Sequence, residues 1–385
     1  MTDSSSRHAL PGLAALAVAM GIGRFAFTPI LPMMQADGIV DVAGGGWLAS
    51  ANYVGYLAGA LTVIWLPLSP ATIIRLGLAI VGVATLLMGL VHTMAAWIAL
   101  RGAAGIASAW VLVHAASWSL AQFHLLPESR RAWLGATVFS GVGAGIAASG
   151  AICLALLLAD ARASTAWIAL GAVSLAAALA LPRGFGASPP TAAGARVAKA
   201  PWPPETLELV ACYGAFGFGY IIPATFLAAM ARDALRDPAV YGWSWPVFGA
   251  AAAASTFIAA ALARRLAGRR LWAASHVAMA AGVLAPLLLG GMPGIILGAL
   301  LVGGTFMVAT MAGMQEARRI APSQAPRVIG AVTASFAAGQ IAGPLVVSAL
   351  AARGMGYGPA LWGAAAVLAA TAFLLLRPAT SERLP

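Results

Sequence analysis

Two arginines lie in stretches of the chain that are otherwise nearly free of charge. They are Arg24, in GIGRFAFTPILPMM beginning at Gly21, and Arg101, in RGAAG at 101–105. A guanidinium carries five N–H donors in a planar fork that matches carboxylate or phosphate oxygens in pairs, so each could hold an anion. At helical spacing Arg24 shares a stripe with Thr28, Leu31 and Gln35, while Arg101 shares one with Gly105, Ser108, Leu112, Ala115, Ser119 and Gln122. The opposing reading is that both guanidinium groups bond backbone carbonyls and hold gates or kinks. Other groups recur at the same spacing: Asn52 with Tyr56, Tyr213 with Phe216 and Tyr220, and Thr333 with Phe336 and Gln340. They offer hydrogen bonds and ring faces to a solute, although on a packed helix the same groups serve helix association. His114 shares a stripe with Trp110 and Trp118 on the side of its helix opposite Arg101, which favours a structural role over proton carriage.

These residues need elements that can carry them through a very apolar chain. Of 385 residues, 61% are hydrophobic and 9% charged, with a mean hydropathy of +0.91; a water-soluble domain has too little polarity here to cover its surface. Windows of roughly 20 apolar residues, the length of a spanning helix, recur near 10–34, 43–66, 71–91, 94–122, 132–158, 164–181, 206–230, 240–262, 271–290, 293–315, 328–351 and 358–376. The expected class is an all-α membrane protein of twelve transmembrane helices. The first window carries a charge and three prolines, which argues against a cleaved signal peptide.

The basic residues set the topology. With both termini cytoplasmic, sixteen Arg and Lys fall in cytoplasmic segments (Arg7, Arg75, Arg130, Arg131, Arg183, Arg196, Lys199, Arg264, Arg265, Arg269, Arg270, Arg318, Arg319, Arg327, Arg377 and Arg383). Four fall on the other face (Arg162, Arg232, Arg236 and Arg353), a positive-inside bias that agrees with an even number of spans. The net charge of +11 therefore reports topology and gives no reason to expect a nucleic-acid partner. Arg24 and Arg101 remain inside the hydrocarbon. Insertion there costs about 2.5–3.5 kcal/mol, so such a residue normally faces a cavity or a partner. No Asp or Glu lies in the central third of any span; Glu208 and Glu316 sit near cytoplasmic ends, and Asp37, Asp41, Asp160, Asp233 and Asp237 in the outer loops. Pro29, Pro32, Pro223 and Pro344 are expected to bend or unwind their helices. Gly141, Gly145 and Ser149 form a face of small residues for close packing, and Met307, Met311 and Met314 read as packing. Trp47, Trp97 and Trp167, near span ends, suit interfacial belts.

The longest break, 182–204, is rich in Pro, Gly and Ala and reads as a cytoplasmic linker between an N-terminal bundle, 1–181, and a C-terminal bundle, 205–385. The halves resemble each other. Gly21-Ile-Gly23-Arg24 aligns with Gly217-Phe-Gly219-Tyr220, and Pro127 through Gly135 with Ser140 aligns with Pro322 through Gly330 with Ser335. Two pseudo-symmetric six-helix bundles are therefore expected, a recurring plan for secondary transporters.

Six plus six spans with RGAAG in the fourth resemble the major facilitator superfamily. GIGRFAFTPILPMM followed by GWLASANYVGYLAGA at 46–60 resembles a bacterial, sugar-efflux-like branch of it. The resemblance implies a central cavity lined by the first, fourth, seventh and tenth helices, with the two arginine stripes facing each other across it. It also implies cytoplasmic gating by basic loop residues, here Arg75, Arg130, Arg131, Arg269 and Arg270. The second-to-third loop is reduced to PLSPATIIRLG, and ARRLAGRRL between spans eight and nine keeps Gly268, Arg269 and Arg270 without the family's aspartate.

A monomeric secondary transporter, without cofactor or metal, is thus expected to move a small amphipathic solute, an organic anion first, by alternating access in the bilayer. The candidate binding residues are Arg24, Thr28, Asn52, Tyr56, Arg101, Ser108, Tyr213, Phe216, Tyr220, Phe336 and Gln340. Export of neutral or cationic drugs or sugars is the alternative, and an acidic residue in the cavity would favour it. Enzymatic readings fare poorly: the sequence has no HExxH, no intramembrane aspartate pair and no Cys/His cluster. Cys153 and Cys212 lack CxxC spacing and read as packing residues. A single lysine, in VAKA, excludes a Walker A motif. Coupling stays open among facilitated diffusion, exchange, and symport in which the solute's acid group carries the proton.

Overall fold

The structure, a computed structural model, describes residues 4–66, 68–185, 205–235, 237–262 and 268–377. Most of the expected linker, from residue 186 on, and Arg196, Lys199, Arg236, Arg264, Arg265 and Arg383 lie outside them. Among the described residues there are twelve long helical segments and no strand. In chain order they are α1 (Ser4–Leu16, a π-helical turn Ala17–Ile22, then Phe27–Ala36), α2 (Val42–Thr62), α3 (Pro70–Met88), α4 (Met94–Ala121), α5 (Glu128–Leu158) and α6 (Ala163–Ala180). The second half repeats the count with α7 (Glu205–Leu235), α8 (Ser244–Leu262), α9 (Gly268–Leu288), α10 (Gly291–Ile320), α11 (Ala325–Ala351) and α12 (Gly358–Leu376). Eleven are long and apolar enough to cross a membrane. The exception is α2, whose apolar content is diluted by Gly44, Gly45, Gly46, Asn52, Tyr53 and Tyr56. It is buried at all of these but the part-exposed Tyr56, so it needs neighbouring helices more than lipid.

Helix starts follow local chemistry. Asp41 accepts from Gly44 N (2.6 Å) to cap α2, and Ser69 accepts from Thr72 N (3.2 Å) to cap α3, with Pro70 in the first turn. Asp37 serves a different helix, accepting from Ala163 N at the start of α6 (2.8 Å).

The small-residue face of α5 packs on α1 as its spacing predicts. Gly141 lies against the backbone of Leu13, Gly145 against Ala17, and Ser149 donates to Gly21 O (3.3 Å). In the second half Gly217 lies against the backbone of Phe336, and Ser335 donates to Val210 O (2.7 Å), so α7 and α11 repeat the α1 and α5 pairing. Between the halves, α5 packs on α8, where Gly143 and Gly249 admit Ala253 and Ala147, and α2 packs on α11, where Gly46 meets Pro344 and Ser348.

The passage between the halves is closed at one end. Residues 18–34 of α1 and 219–231 of α7 are buried all round, whereas toward the chain termini both helices alternate buried with part-exposed positions. The hydrogen bonds seen between the halves lie at the level of Arg24 or beyond it toward the α1–α2 loop. They include Thr28 Oγ1 to Ala224 O (2.7 Å), Ser348 Oγ to Ala43 O (2.8 Å) and Arg232 Nη1 to Pro32 O (3.0 Å).

Two expectations need correction. Pro223 and Pro344 do not unwind their helices, which run unbroken, and among the described residues it is α1 that is interrupted. Trp97 and Trp167 are buried, unlike the exposed Trp47. The indole of Trp97 donates to Val91 O (2.9 Å) and Met88 O (3.2 Å), which ties the α3–α4 turn, and Trp167 stacks on Phe27.

The α1–α5 contact gives a direct check on this packing. Gly145→Leu is expected to lower stability by more than about 2 kcal/mol by forcing two backbones apart. Gly363→Leu, at a position with open space around it, is expected to leave the melting temperature nearly unchanged in the same thermal unfolding measurement.

Candidate functional site

The break in α1 generates the site. Gly23 N bonds Val18 O (3.1 Å) and Phe25 N bonds Met20 O (3.0 Å), five-residue steps that widen the helix. Pro29 has no N–H to offer Phe25 O, which takes Thr28 N instead (3.2 Å). The carbonyls of Gly23 and Arg24 are turned out of the helix ladder, and groups from α2 and α4 meet them. Asn52 Nδ2 donates to Gly23 O (3.2 Å) and Arg101 O (2.9 Å); Arg101 donates from Nη2 to Arg24 O (3.1 Å) and, at 3.4 Å, from Nη1 to Gly23 O and Nε to Leu48 O. The Arg101 guanidinium also covers the Phe27 ring, 4.9 Å from its centroid.

Arg101 therefore does not face Arg24 across a passage. It is 2% exposed, enclosed by α1, α2 and α4, with its donors spread over the Gly23 and Arg24 carbonyls that the break sets free and over Leu48 O of α2. Ser108 and Asn52 belong to the same brace: Ser108 Oγ reaches Ala19 O and Ala104 O (2.7 Å each). In this structure all three spend their donors on main-chain carbonyls.

Arg24 is placed differently. It is 3% exposed, and its Nη2 donates to Gln340 Oε1 of the other half (2.5 Å). Its Cζ lies 4.0 Å from the centroid of Tyr56, 5.1 Å from Tyr53 and 5.3 Å from Phe25. Its Nε is buried with no acceptor. None of the ion pairs among the described residues includes Arg24. A desolvated cation–π contact is worth about 2 kcal/mol and a charge-assisted hydrogen bond about 1.5–3 kcal/mol. Together these are comparable to the several kcal/mol that desolvating one ion costs, so the guanidinium is held in place while its charge stays unneutralised.

Opposite stands a wall of rings. Gln340 Nε2 donates to Tyr220 Oη (3.3 Å), and Tyr220 stacks between Phe306 (4.7 Å, 13°) and Phe336 (5.8 Å, 8°). Phe216 and Tyr213 continue the cluster, with Phe216 5.0 Å and Tyr213 5.3 Å from Phe336. Tyr56 and Phe336 are part-exposed and mark the side from which the cluster is reached. Thr28, one turn beyond Arg24, bonds Ala224 O and so belongs to the closure.

Sequence reasoning missed Tyr53, Phe306 and Thr225. Tyr53 stacks on Arg24 and shares a hydrogen bond with Thr225 of α7 (3.0 Å). Its i, i+3 spacing to Tyr56 was a usable signal. Phe306 had none, since its ring meets Tyr220 only through helix packing.

Of the expected gating residues, Arg75, Arg130, Arg131 and Arg270 are exposed on the side of the termini. Arg269 is instead tied within its own half: it pairs with Glu208 of α7, lies 4.0 Å from Glu316 of α10 and donates to Leu375 O of α12 (3.3 Å). Glu316 also takes both bonds of Arg319 (2.8 Å each). His114 is held by Trp110 O (2.9 Å) within its own helix. Among the described residues no three His, Cys, Asp or Glu side chains gather as metal ligands.

The family model described as "Uncharacterised MFS-type transporter YbfB" matches residues 16–376. No curated protein matches the sequence significantly. Among solved structures, the fold is similar to a bacterial homologue of the human lysosomal transporter Spinster in an inward-facing, unoccupied conformation (TM-score 0.67, 15% identity, covering 98% of this chain and 96% of that one). It is similar to a D-xylose–proton symporter (TM-score 0.72, 10% identity, 96% and 97%) and to the nucleoside transporter NupG (TM-score 0.74, 14% identity, 96% and 100%).

The brace around the α1 break is expected to be structural. Arg101→Ala leaves the Arg24 carbonyl without a donor, at about 1–3 kcal/mol, and the Gly23 carbonyl with Asn52 alone. It should therefore lower the melting temperature and the yield of folded protein, whereas Arg24→Gln, which keeps an amide in place, should melt close to the wild type.

Proposed function

The chain belongs to the family of MFS-type transporters represented by YbfB, and on that footing we propose that it is a secondary transporter of small amphipathic organic anions. The carrying observation is Arg24: a buried guanidinium at the end of the passage, without a carboxylate and with a free Nε donor. A carboxylate or similar oxyanion supplies the missing charge and can take two parallel N–H bonds. The part-exposed rings of Tyr56 and Phe336, backed by the buried Tyr220 and Phe306, give the apolar part of the solute a surface to lie on.

The basic-residue bias supports placing both termini, and therefore the parted end of the passage, on the cytoplasmic side of a bacterial inner membrane. The structure then corresponds to the inward-open half of an alternating-access cycle, with closure at the α1–α2 side. Arg75, Arg130, Arg131 and Arg270 are exposed near helix ends on the side of the termini; their charge suits attraction of anions to the mouth and contact between halves when it closes. The named cargoes of two solved relatives, D-xylose and nucleosides, are neutral polar solutes. The site here differs in kind from what such a solute needs, because its dominant group is an unneutralised cation.

Proteoliposome uptake tests this reading with radiolabelled carboxylates, amino acids, sugars and dyes, with and without a pH gradient. Arg24→Gln is expected to reduce carboxylate uptake by at least about tenfold, as loss of one charged hydrogen-bonding group implies, while the protein still reaches the membrane. Carboxylate uptake equal to wild type in Arg24→Gln would remove the case for an anion site.

A further inference from the structure

We infer that Gln340 is a built-in stand-in for the solute: its amide oxygen occupies Arg24 in the empty site and keeps the halves joined until an oxyanion replaces it. The inference rests on the reading of Arg24 as the anion ligand. The amide is fixed in orientation, with Oε1 on Arg24 Nη2 (2.5 Å) and Nε2 on Tyr220 Oη (3.3 Å). It is 1% exposed, so it is committed to these two partners. An sp² amide oxygen has the geometry of one carboxylate oxygen, but it offers Arg24 a single acceptor without charge. The orphaned Nε is the second half of a fork that a carboxylate can fill and the amide cannot.

The exchange is coupled to the closure because Gln340 and Arg24 belong to opposite halves. Ser50 of α2 bonds Ile341 O, the next residue of α11 (3.1 Å), so Gln340 sits on the closing seam itself. Tyr53, which lies against Arg24, bonds Thr225 of α7 at the same level. A ligand that competes with a bond between two halves must, by linkage, loosen the state that contains that bond. Anion binding and opening of the α1–α2 side thus draw on one contact.

Two readouts on the full chain in lipid nanodiscs test this, with melting temperatures measured alongside. In the first, spin labels on Ile39→Cys and Trp243→Cys, exposed positions on opposite halves of the closed side, report the distance across it without ligand. Gln340→Ala is expected to raise the open population by about tenfold, and Gln340→Glu, which places a full carboxylate on Arg24, to hold the closed distance. In the second, benzoate is the probe: Gln340→Ala is expected to bind it about tenfold more tightly, Gln340→Glu more weakly and Arg24→Gln not at all. An unchanged distance distribution in Gln340→Ala, or weaker benzoate binding there than in wild type, overturns the stand-in role. Unchanged benzoate binding in Arg24→Gln overturns the anion reading instead, and if benzoate binds no variant the distance measurement alone decides.

Discussion

A cation buried without an anion is the constraint around which the centre of this molecule is arranged. Arg24 and Arg101 sit within the same small region, and the fold satisfies them in opposite ways. Arg101 is given carbonyls that the interruption of α1 has released, so guanidinium and break stabilise each other. Arg24 is given rings and one neutral amide. The first arrangement is closed to exchange because its donors are spent on the main chain. The second leaves a donor over and relies on a partner from the far half. The broken helix also aims Arg24, since an unbroken α1 would keep the Gly23 and Arg24 carbonyls for itself and remove the anchor that Arg101 and Asn52 provide.

The two halves meet along surfaces that suit relative movement. At the α5–α8 seam glycines and alanines bring backbones together, and at the α2–α11 seam Gly46 does the same against Pro344 and Ser348. Small residues leave few interlocking knobs, so one bundle can tilt on the other without side chains having to leave deep holes. The ionic contact at the base of the second half stays within it: Arg269 gathers α7, α10 and α12 through Glu208, Glu316 and Leu375 O, which stiffens the C-terminal bundle as one body. What crosses between halves near the site is single hydrogen bonds from Thr28, Ser50, Tyr53 and Arg24, each weak enough to be remade.

Much of the architecture was legible in the sequence because hydrocarbon imposes a strong pattern. The twelve windows, the internal repeat and the Gly141, Gly145, Ser149 face each correspond to an element or contact in the structure. The site was legible in its residue types more than in their partners. Arg24 and Gln340 could both be singled out from helical spacing, yet a bond between residues 316 positions apart depends on how two bundles dock, which spacing along one helix does not encode. Arg101 could not be told from Arg24, since main-chain carbonyls freed by a break leave no mark on residue identity at the position that receives them. Trp97 and Trp167 illustrate the same limit: a span-end position fixes depth in the membrane but leaves open whether the ring turns to lipid or inward.

On the proposed reading of Arg24 as an anion site, the neutrality of residue 340 follows from what a reversible site requires. A glutamate there would form a buried ion pair, and breaking such a pair costs about 3–5 kcal/mol, because each partner would be left as an uncompensated charge. An amide on a guanidinium is worth about 1.5–3 kcal/mol, and every 1.4 kcal/mol is a factor of ten in population. The amide thus holds Arg24 in place with a bond that a two-oxygen anion can outcompete, while an ion pair would exclude that anion and keep the halves joined. On the proposed reading, the lack of intramembrane carboxylates is a condition for turnover: the central charge can be lent to a passing solute only because none of the ion pairs among the described residues includes it.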